Sequence, residues 1–382
     1  MTMTLQIHKE SSPAYQTVAV GSTGPESMAP DVQPPSPPEV VRLRDLAAAI
    51  KNAAGKVGFD LVGIADIAAS DHADYLRNWF GQGRHGTMDY LARMLPAKMD
   101  IRTHLPWAAS AICVAMSYYQ GDAGESTLST NGSSADSADR DMPTAFSRTG
   151  KIASYAAGRD YHRIFTGMLR RLETEVRQLV PEDIMARAYV DTGPCLEREL
   201  AARAGLGWIG KNTMLIHPRH GSWFLLGELF LSLPLVAESS MPDHCGTCTR
   251  CIDACPTDAL SPYKMAAEKC ISYLTLENRG TIASEFHAPM QAAGYLVGCD
   301  ICQSVCPFNR RPLAASHPDF QPRAISSAVS PRAVLQWTEH DWDQATRGRA
   351  FRRAKLPMWK RNAAILLCGA GNASRGDQAE IR

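Results

Sequence analysis

The sequence predicts an α/β protein that carries a cysteine-rich domain behind its core. Helical and strand-like patterns alternate between residues 39 and 235, as they do in layered α/β cores. Eight of the eleven cysteines then fall between His244 and Asn309, and a basic segment follows. The chain is therefore predicted to consist of a leader, a core, a cysteine-rich domain and a C-terminal region, over residues 1–38, 39–235, 236–312 and 313–382.

The core elements can be placed in order along the chain. Apolar residues near a 3.6-residue period predict a helix over 39–58, and 59–65 has the pattern of a strand. A helix around 71–80 and a buried strand over 110–118 follow, and the low-complexity segment 121–141 is predicted to be a flexible insertion. The remaining predicted elements are a helix within 152–179 with Ile164, Met168, Leu172, Val176 and Leu179 on one face, a strand over 184–190, a helix over 195–204, strands over 214–216 and 222–233, and part of a helical pair over 357–371.

Composition indicates a globular chain apart from its leader. The chain has 382 residues, of which 45% are hydrophobic and 21% charged, enough for a sizeable core. The leader is rich in Ser, Pro and Gly and is expected to be disordered. It shows no export signal, and no segment approaches the roughly 18 apolar residues that cross a bilayer. We therefore expect a cytoplasmic protein that does not bind membranes.

The cysteine spacing predicts two iron–sulfur clusters. The run Cys245-x2-Cys248-x2-Cys251-x3-Cys255-Pro256 is that of bacterial ferredoxins with two [4Fe–4S] clusters, in which the fourth cysteine of a run binds the other cluster. The second run, Cys299-x2-Cys302-x3-Cys306-Pro307, is one cysteine short, and Cys270 can replace it. The predicted ligands are Cys245, Cys248, Cys251 and Cys306 for one cluster, and Cys255, Cys270, Cys299 and Cys302 for the other.

The same cysteine pattern argues against a structural zinc site and against a disulfide framework. Paired C-x2-C motifs do bind structural zinc, and cysteines at regular spacings can form disulfides, but neither arrangement accounts for the complete run with its terminal Cys-Pro. Oxygen-sensitive clusters and free thiolates favour a reducing compartment. The scattered Cys113, Cys195 and Cys368 are assigned no chemistry.

Asp191 is the main candidate for chemistry in the core. It stands where a predicted strand gives way to a predicted helix, so from the residues alone we expect it to cap that helix, with general acid as the second interpretation. Lys211 and Asn212 lie in a Gly-rich turn that could approach a phosphate or an amide. The glycine pattern there follows a helix rather than a strand, so a dinucleotide site is not predicted.

His162 is not predicted to bind cobalt. Asp160-Tyr161-His162 contains the start of an Asp-x-His-x-x-Gly motif found in some cobalamin proteins, but Phe165 stands where that motif needs Gly. We expect His162 to be a polar residue near a helix start.

The net charge of +1 conceals a basic C-terminal segment. Pro307 to Arg382 holds 13 Lys and Arg against 6 Asp and Glu. A run of basic side chains between aromatic ones resembles a phosphate-binding face, although such runs are more often solvated surface. Its members are Arg347, Arg349, Arg352, Arg353, Lys355, Lys360 and Arg361.

Several segments together resemble the epoxyqueuosine reductase family over about residues 40–372. Cys195 departs from the family pattern, and the C-terminal repeat region is shortened. The matching segments are Gly58–Ile64, Gly86–Leu91, Tyr155–His162, Val190–Pro194, Ala204–Asn212, Gly221–Glu228 and Cys270–Thr275.

The resemblance implies a fold and an activity. The fold would be an α/β (α+β) cobalamin-binding core like that of reductive dehalogenases, a ferredoxin-like domain with two [4Fe–4S] clusters, and a short C-terminal helical region related to HEAT repeats. The activity would be reduction of epoxyqueuosine to queuosine at the wobble position of tRNA, with cob(I)alamin opening the epoxide. The partners would be that tRNA and an unidentified low-potential electron donor, and the enzyme would be a monomer.

The resemblance also implies site residues. Asp191 matches the family's proton donor, which reverses our preference for a helix cap. The implied cofactor contacts are Arg102, Tyr155, Asp160, Tyr161, His162, Asp191, Lys211, Asn212, Ser222 and Ser272. The expected tRNA contacts are Arg279, Arg352, Arg353, Lys355, Lys360 and Arg361.

Two alternatives remain open at the level of sequence. A reductive dehalogenase would share the cofactors and the core but usually has a twin-arginine export signal, which Arg42-Leu-Arg44 is not. An electron-transfer subunit would bind neither a corrinoid nor tRNA.

Overall fold

The computed structural model describes residues 37–121, 149–181, 183–322 and 328–368. The predicted leader and insertion lie outside the described residues, apart from Pro37, Pro38 and Gly121. Pro37 already begins a helix, so the core starts slightly earlier than predicted. The strands are β1 Leu61–Ala65, β2 Ser110–Ser117, β3 Gly150–Ile152, β4 Ala186–Tyr189, β5 Trp208–Ile209, β6 Leu215–Ile216, β7 Phe224–Leu231, β8 Leu260–Ser261, β9 Lys264–Met265, β10 Tyr295–Val297 and β11 Ala328–Val329.

The helices surround these strands and continue to the end of the described chain. The α-helices are α1 Pro37–Val57, α2 Ala73–Gly81, α3 Asp89–Arg93, α4 Leu95–Met99, α5 Tyr161–Leu179, α6 Glu197–Arg203, α7 Arg250–Asp253, α8 Ile271–Leu276, α9 His287–Ala293, α10 Ile301–Ser304, α11 Pro331–Gln336, α12 Glu339–Thr346 and α13 Leu356–Cys368. Short 3-10 turns occupy Ile101–Thr103, Ser154–Ala156, Ala267–Lys269, Ser284–Phe286, Pro307–Asn309, Pro318–Phe320 and Ala350–Arg353. Within the described ranges, no helix combines the length and the apolar character needed to span a bilayer.

The main sheet has four strands in the order β1-β2-β7-β4, and every neighbouring pair is antiparallel. The predicted layering of helices and strands is therefore confirmed, and the antiparallel sheet gives it the α+β form. The long connections between paired strands carry the helices, which is how the sheet becomes covered on both faces.

Alternation along β2 shows how the two faces differ. Ile112, Val114 and Met116 pack into the cluster that includes α1 and α5, whereas Cys113 and its small neighbours face α6. Small residues are needed on the α6 side because that helix ends close to the sheet. A Cβ atom at Gly63 would lie 2.0 Å from the carbonyl oxygen of Ala204, so only glycine fits there.

The long helix α5 confirms most of its predicted apolar face. Met168, Leu172 and Val176 are buried against the sheet, as the 3.6-residue period predicts. Leu179 is 42% exposed, so its prediction as a face residue was wrong. It belongs to the last turn of the helix, beyond the packed part of the layer.

A second, smaller sheet joins the predicted regions. Strand β3 of the core pairs with β10 from the cysteine-rich domain on one side and with β11 from the C-terminal region on the other. The buried Asn362 of α13 donates hydrogen bonds to the carbonyl oxygens of Thr275 at 3.1 Å and Leu296 at 2.8 Å. These contacts hold the C-terminal helices against the cysteine-rich domain. Their relation to HEAT repeats stays a prediction.

Candidate active site and cluster centres

Asp191 lies in a strained turn directly after β4. Its φ of 57° is in the left-handed region, which costs a residue with a side chain roughly 1–2 kcal/mol. Its backbone N–H donates to Oε1 of Glu197, and its Oδ2 atom lies 3.1 Å from Nε2 of His162. The helix-cap prediction was therefore wrong. Helix α6 begins only at Glu197, with Leu196 at its N-cap, and the Asp191 carboxylate points towards α5 instead.

His162 is held between two carboxylates at the start of α5. Asp160 caps this helix by accepting the His162 backbone N–H at 3.1 Å, and its Oδ1 atom also lies 2.6 Å from Nδ1 of the ring. The other ring nitrogen faces Asp191, and the ring stacks on Tyr161 at 4.1 Å. Both ring nitrogens therefore have a carboxylate partner.

Electrostatics place a proton on His162 rather than on Asp191. Burial lowers the pKa of His162, but the hydrogen bonds and charges of Asp160 and Asp191 more than offset it and raise the pKa to about 9. Burial tends to raise the pKa of Asp191, but His162, Arg353 and Arg198 lower it overall. At neutral pH the pair is therefore an imidazolium beside a carboxylate that is 41% exposed.

Further charged groups surround Asp191. Arg353 forms an ion pair with Glu277 at 2.6 Å, and its charge stabilises the Asp191 carboxylate. Tyr90 and Tyr155 lie in the same electrostatic neighbourhood. Sequence reasoning missed Tyr90 and Glu277. The only signal for Glu277 was its place just after the family-like Cys270–Thr275 segment.

Two more carboxyl groups lie on the α6 side of Asp191. Glu197 accepts the Asp191 N–H, and burial together with the Asp191 charge raises the pKa of Glu197 to about 7. Glu228 of β7 is fully buried, and burial raises its pKa well above its ordinary value. The Cys195 thiol lies 3.9 Å from Glu228, and burial raises its pKa also. Cys195 is therefore buried, as is usual for a scattered cysteine.

The eight cysteines of the cysteine-rich domain are free thiols that form two groups. Burial raises the pKa of Cys251, and the neighbouring Cys306, Cys245 and Cys248 raise it further. Burial likewise raises the pKa of Cys299 to about 12, with added contributions from Cys270 and Cys255. We call Cys245, Cys248, Cys251 and Cys306 the outer set, and Cys255, Cys270, Cys299 and Cys302 the inner set. This grouping agrees with the predicted ligand sets. No three His, Cys, Asp or Glu side chains in the described ranges are arranged to hold a single metal ion.

The inner set is coupled to the residues around Asp191. Asp300, which lies between Cys299 and Cys302, is 4% exposed and accepts hydrogen bonds from the backbone N–H and the hydroxyl of Ser154 at 2.7 and 2.8 Å. Tyr155 follows directly in the chain. The buried Asp300 thus connects the inner set to a predicted cofactor contact, a role that sequence reasoning did not identify.

Lys211 and Asn212 hold the cysteine loops rather than facing Asp191. The Lys211 ammonium donates to the carbonyl oxygens of Gly246 at 2.5 Å and Cys248 at 3.1 Å. The Asn212 amide donates to the carbonyl oxygen of Cys302 at 3.3 Å. Each residue therefore fastens one thiol set to the core. Their role as cofactor contacts stays a prediction.

Ser222, Ser272 and Arg102 make the following contacts within the protein, and their role as cofactor contacts stays a prediction. The Ser222 hydroxyl donates to Gln303 at 3.0 Å, in a buried contact between the core and the cysteine-rich domain. The Ser272 backbone N–H points at the Cys270 thiol. The Arg102 guanidinium donates two hydrogen bonds to the Asp100 carboxylate, at 2.9 and 2.8 Å. Of the predicted cofactor contacts, the structure brings together Tyr155, Asp160, Tyr161, His162 and Asp191.

Most of the basic run is used within the fold. Arg347 and Arg352 both bind Asp343, and Arg349 donates to the carbonyl oxygen of Ala157 at 3.1 Å. Arg361 donates to the carbonyl oxygens of Asn278, Gly280 and Leu274, and burial lowers its pKa to about 10. Arg352, Arg353 and Arg361 thus all have partners within the fold, and their contact with tRNA stays a prediction. Arg279 and Lys355 are exposed, Lys360 is half-buried, and none of the three forms an ion pair with a described carboxylate.

Comparisons with known proteins agree with this arrangement. Residues 98–192 match the family model of epoxyqueuosine reductase QueG, and residues 244–309 match that of the 4Fe-4S double cluster binding domain. The chain is 36% identical to an epoxyqueuosine reductase of Pseudomonas aeruginosa over 91% of this chain and 90% of that one. It is 34% identical to an epoxyqueuosine reductase of Escherichia coli over 88% and 83% of the two chains.

Solved structures show the same relationship. A selenomethionine-labelled epoxyqueuosine reductase is 27% identical with a TM-score of 0.72, covering 86% of this chain and 82% of that chain. A second epoxyqueuosine reductase structure, solved with an epoxyqueuosine-modified tRNA stem loop, is 26% identical with the same TM-score of 0.72 and the same coverage of 86% and 82%. Sequence identity of this extent over most of both chains leaves one assignment: this chain belongs to the epoxyqueuosine reductase family.

Proposed function

We propose that this protein reduces epoxyqueuosine to queuosine at the wobble position of tRNA, in the cytoplasm and as a monomer. The reaction removes the epoxide oxygen as water and requires two electrons and two protons. The observation that carries the proposal is the placement of one exposed, strained acid, Asp191, beside residues that Asp300 connects to the inner thiol set. Family membership argues against the alternatives of a dehalogenase and an electron-transfer subunit.

The residues present fit the cofactors that this function needs. Eight free thiols in two sets match two [4Fe–4S] clusters, and the engaged nitrogens of His162 match a cobalamin bound without a protein histidine on cobalt. When bound, the clusters supply electrons singly and the cobalamin supplies a nucleophile that opens the epoxide ring. Tyr155, Tyr161 and Asp191 are the residues that would face the corrin.

Proton delivery follows from the His162–Asp191 pair. As negative charge develops on the epoxide oxygen, His162 transfers its proton to Asp191 through the 3.1 Å contact between Nε2 and Oδ2, and Asp191 passes a proton on to that oxygen, which leaves His162 neutral and Asp191 ionised. Asp160 fixes the ring and stabilises its charged form. The exposed carboxylate therefore works as an acid although its own pKa is low, because its proton is stored on the neighbouring imidazole.

The pH profile of turnover should report this stored proton. Turnover should be sustained at neutral pH and fall as pH rises through about 9, the raised pKa of His162. The same group stabilises the folded state most below its ordinary value of 6.5, and this contribution is lost as pH rises through about 9. Single-turnover rates measured over a pH series would show this fall at alkaline pH, the alkaline limb of the profile. The His162→Gln variant should turn over more slowly and should lack the alkaline limb. An unchanged alkaline limb in His162→Gln would assign it to another group. Glu197, with its pKa raised to about 7, affects only the lower part of the profile.

The tRNA surface is proposed to include the basic side chains that the fold leaves free. A base in the single-stranded anticodon loop can enter a pocket at small unstacking cost while basic residues hold the phosphates. Lys355 lies 5.3 Å over the ring of Trp342, and Arg279 lies in the loop that Arg361 anchors. Lys360 follows Trp359 in α13.

Changing Arg279, Lys355 and Lys360 together to Ala should weaken tRNA binding and flatten its salt dependence. Each lost phosphate contact lowers the slope of log affinity against log salt by about one unit. Binding titrations at several salt concentrations measure this, with Lys56→Ala/Arg170→Ala on the exposed surface of α1 and α5 as the matched control. Reduction of a free epoxyqueuosine nucleoside should barely change in the triple variant. Equal losses on tRNA and nucleoside would mean that these residues support the fold.

Genetic complementation tests the proposed function as a whole. A bacterium that lacks its epoxyqueuosine reductase should accumulate epoxyqueuosine in tRNA, and expression of this chain should restore queuosine. The same chain with Asp191→Asn is the control, because it should be produced at the same level without restoring queuosine. Restoration by both chains would leave the proton donor unassigned, and restoration by neither would contradict the activity.

A further inference from the structure

The outer thiol set borders an open cavity lined by α7 and by the segment that follows α10. Cys306 forms a buried cluster with Trp208 and Ile216, against which Cys245 and Phe308 pack, and Lys211 binds the backbone on either side of Thr247. Cys306 is 9% exposed, and its other side lines a cavity of about 600 Å³. A group that enters this cavity would lie beside a predicted ligand of the outer cluster.

The rim of the cavity is positively charged. Arg250 of α7 and Arg310, just after Cys306-Pro307, both line the cavity and are exposed, and Arg311 is exposed beside them. Among the described residues, no carboxylate forms an ion pair with any of these three arginines. The acidic residue of the rim, Asp253, accepts a hydrogen bond from the Thr249 hydroxyl at 2.7 Å. Unlike the arginines of the C-terminal run, these guanidinium groups are not used by the fold.

The position of the cavity beside the outer set indicates a role for its positive rim in electron transfer. The inner set is coupled to the Asp191 site through Asp300 and Ser154, and we assign the entry of electrons from outside to the other, outer set. A positive rim attracts a negatively charged partner and speeds its encounter. Contacts between electron-transfer proteins are small and transient, and they do not need a large apolar face.

We propose that the cavity beside Cys306, with Arg250 and Arg310 at its rim, is the docking site of an acidic one-electron carrier protein that reduces the outer cluster. This inference rests on the proposed function for the use of the electrons. In each encounter the carrier is oxidised by one electron and the outer cluster is reduced by one. Two encounters, with two protons from the Asp191 site and solvent, balance the conversion of the epoxide to an alkene and water.

Charge reversal of the rim tests the docking site. Arg250→Glu/Arg310→Glu should keep both clusters, and a reduced acidic plant-type [2Fe–2S] ferredoxin should reduce them about tenfold or more slowly at low salt. The salt dependence of that rate should flatten as well. Lys56→Glu/Arg170→Glu is the matched control and should behave as the parent. The rates are measured by anaerobic stopped-flow absorbance without tRNA, so they do not depend on epoxyqueuosine turnover.

Two further measurements separate the possible outcomes. With excess dithionite in place of the ferredoxin, turnover of epoxyqueuosine tRNA should be the same in the parent and the charge-reversed variant. If the parent protein showed no turnover with dithionite, the proposed function would be contradicted. The ferredoxin assay would still test the docking site, because it measures cluster reduction and not turnover. Unchanged ferredoxin rates in the charge-reversed variant would overturn the docking site. Weaker tRNA binding with unchanged ferredoxin rates would overturn it too, and would assign the rim to the tRNA.

Discussion

Replacing Asp191 with Asn is expected to lower turnover of epoxyqueuosine tRNA on the order of 10²-fold or more. Asn has the same size and tolerates the left-handed backbone at φ 57°, but it cannot deliver a proton to the substrate. The contact with His162 and the hydrogen bond between the residue 191 N–H and Glu197 should both persist. The loss should therefore be chemical, and it is measured as the single-turnover rate of loaded, dithionite-reduced enzyme.

Three controls separate this loss from damage to the fold. The free energy of unfolding of Asp191→Asn should lie within about 1 kcal/mol of that of the parent. The variant should also bind cobalamin and tRNA normally, and dithionite should still reduce its clusters. The alkaline limb that belongs to His162 should disappear from its pH profile. A variant that keeps near-normal turnover would require another donor, and Tyr155 or His162 acting alone would be the next candidates.

Changing Cys302 to Ala is expected to remove the inner cluster and reduce turnover to background. The iron content of protein handled without oxygen should fall from about eight atoms per chain to about four, because each cluster holds four. The outer set loses no ligand, so its paramagnetic signal should survive. Turnover stops because the path through the inner set to Ser154 and Tyr155 is interrupted.

Cys368→Ser provides the matched control for this change. Cys368 is exposed at the end of α13 and belongs to neither thiol set, so iron content and turnover should equal those of the parent. Zinc in the unmutated protein, or loss of the outer signal with the inner one intact in Cys302→Ala, would contradict the ligand assignment.

The cluster centres could be predicted from sequence because a cluster constrains the local spacing of its ligands. Cys245, Cys248 and Cys251 are close in the chain, and the Cys-Pro endings identify the crossing ligand. The position of Asp191 after a strand was also predictable. The direction of its side chain was not, because it depends on the left-handed turn and on His162, which lies 29 residues away in the chain.

The basic run shows where sequence reasoning is limited. Arg352, Arg353 and Arg361 have the same local signature as Lys355, but three of these four side chains are used by partners far along the chain or across a turn. Only tertiary packing distinguishes an arginine that binds Glu277 or a backbone carbonyl from one that is free to bind phosphate. The rim of Arg250 and Arg310 was missed for the converse reason, since two isolated arginines form no pattern in the sequence.

Product analysis with purified components tests the central claim most directly. Protein reconstituted anaerobically with iron, sulfide and cobalamin is incubated with tRNA that carries epoxyqueuosine and with excess dithionite, and the nucleosides are then identified by mass spectrometry. We predict that queuosine replaces epoxyqueuosine, and that omitting cobalamin or using Asp191→Asn leaves epoxyqueuosine in place. Unchanged epoxyqueuosine with the complete protein, when both clusters and cobalamin are shown to be bound and reduced, would contradict the account.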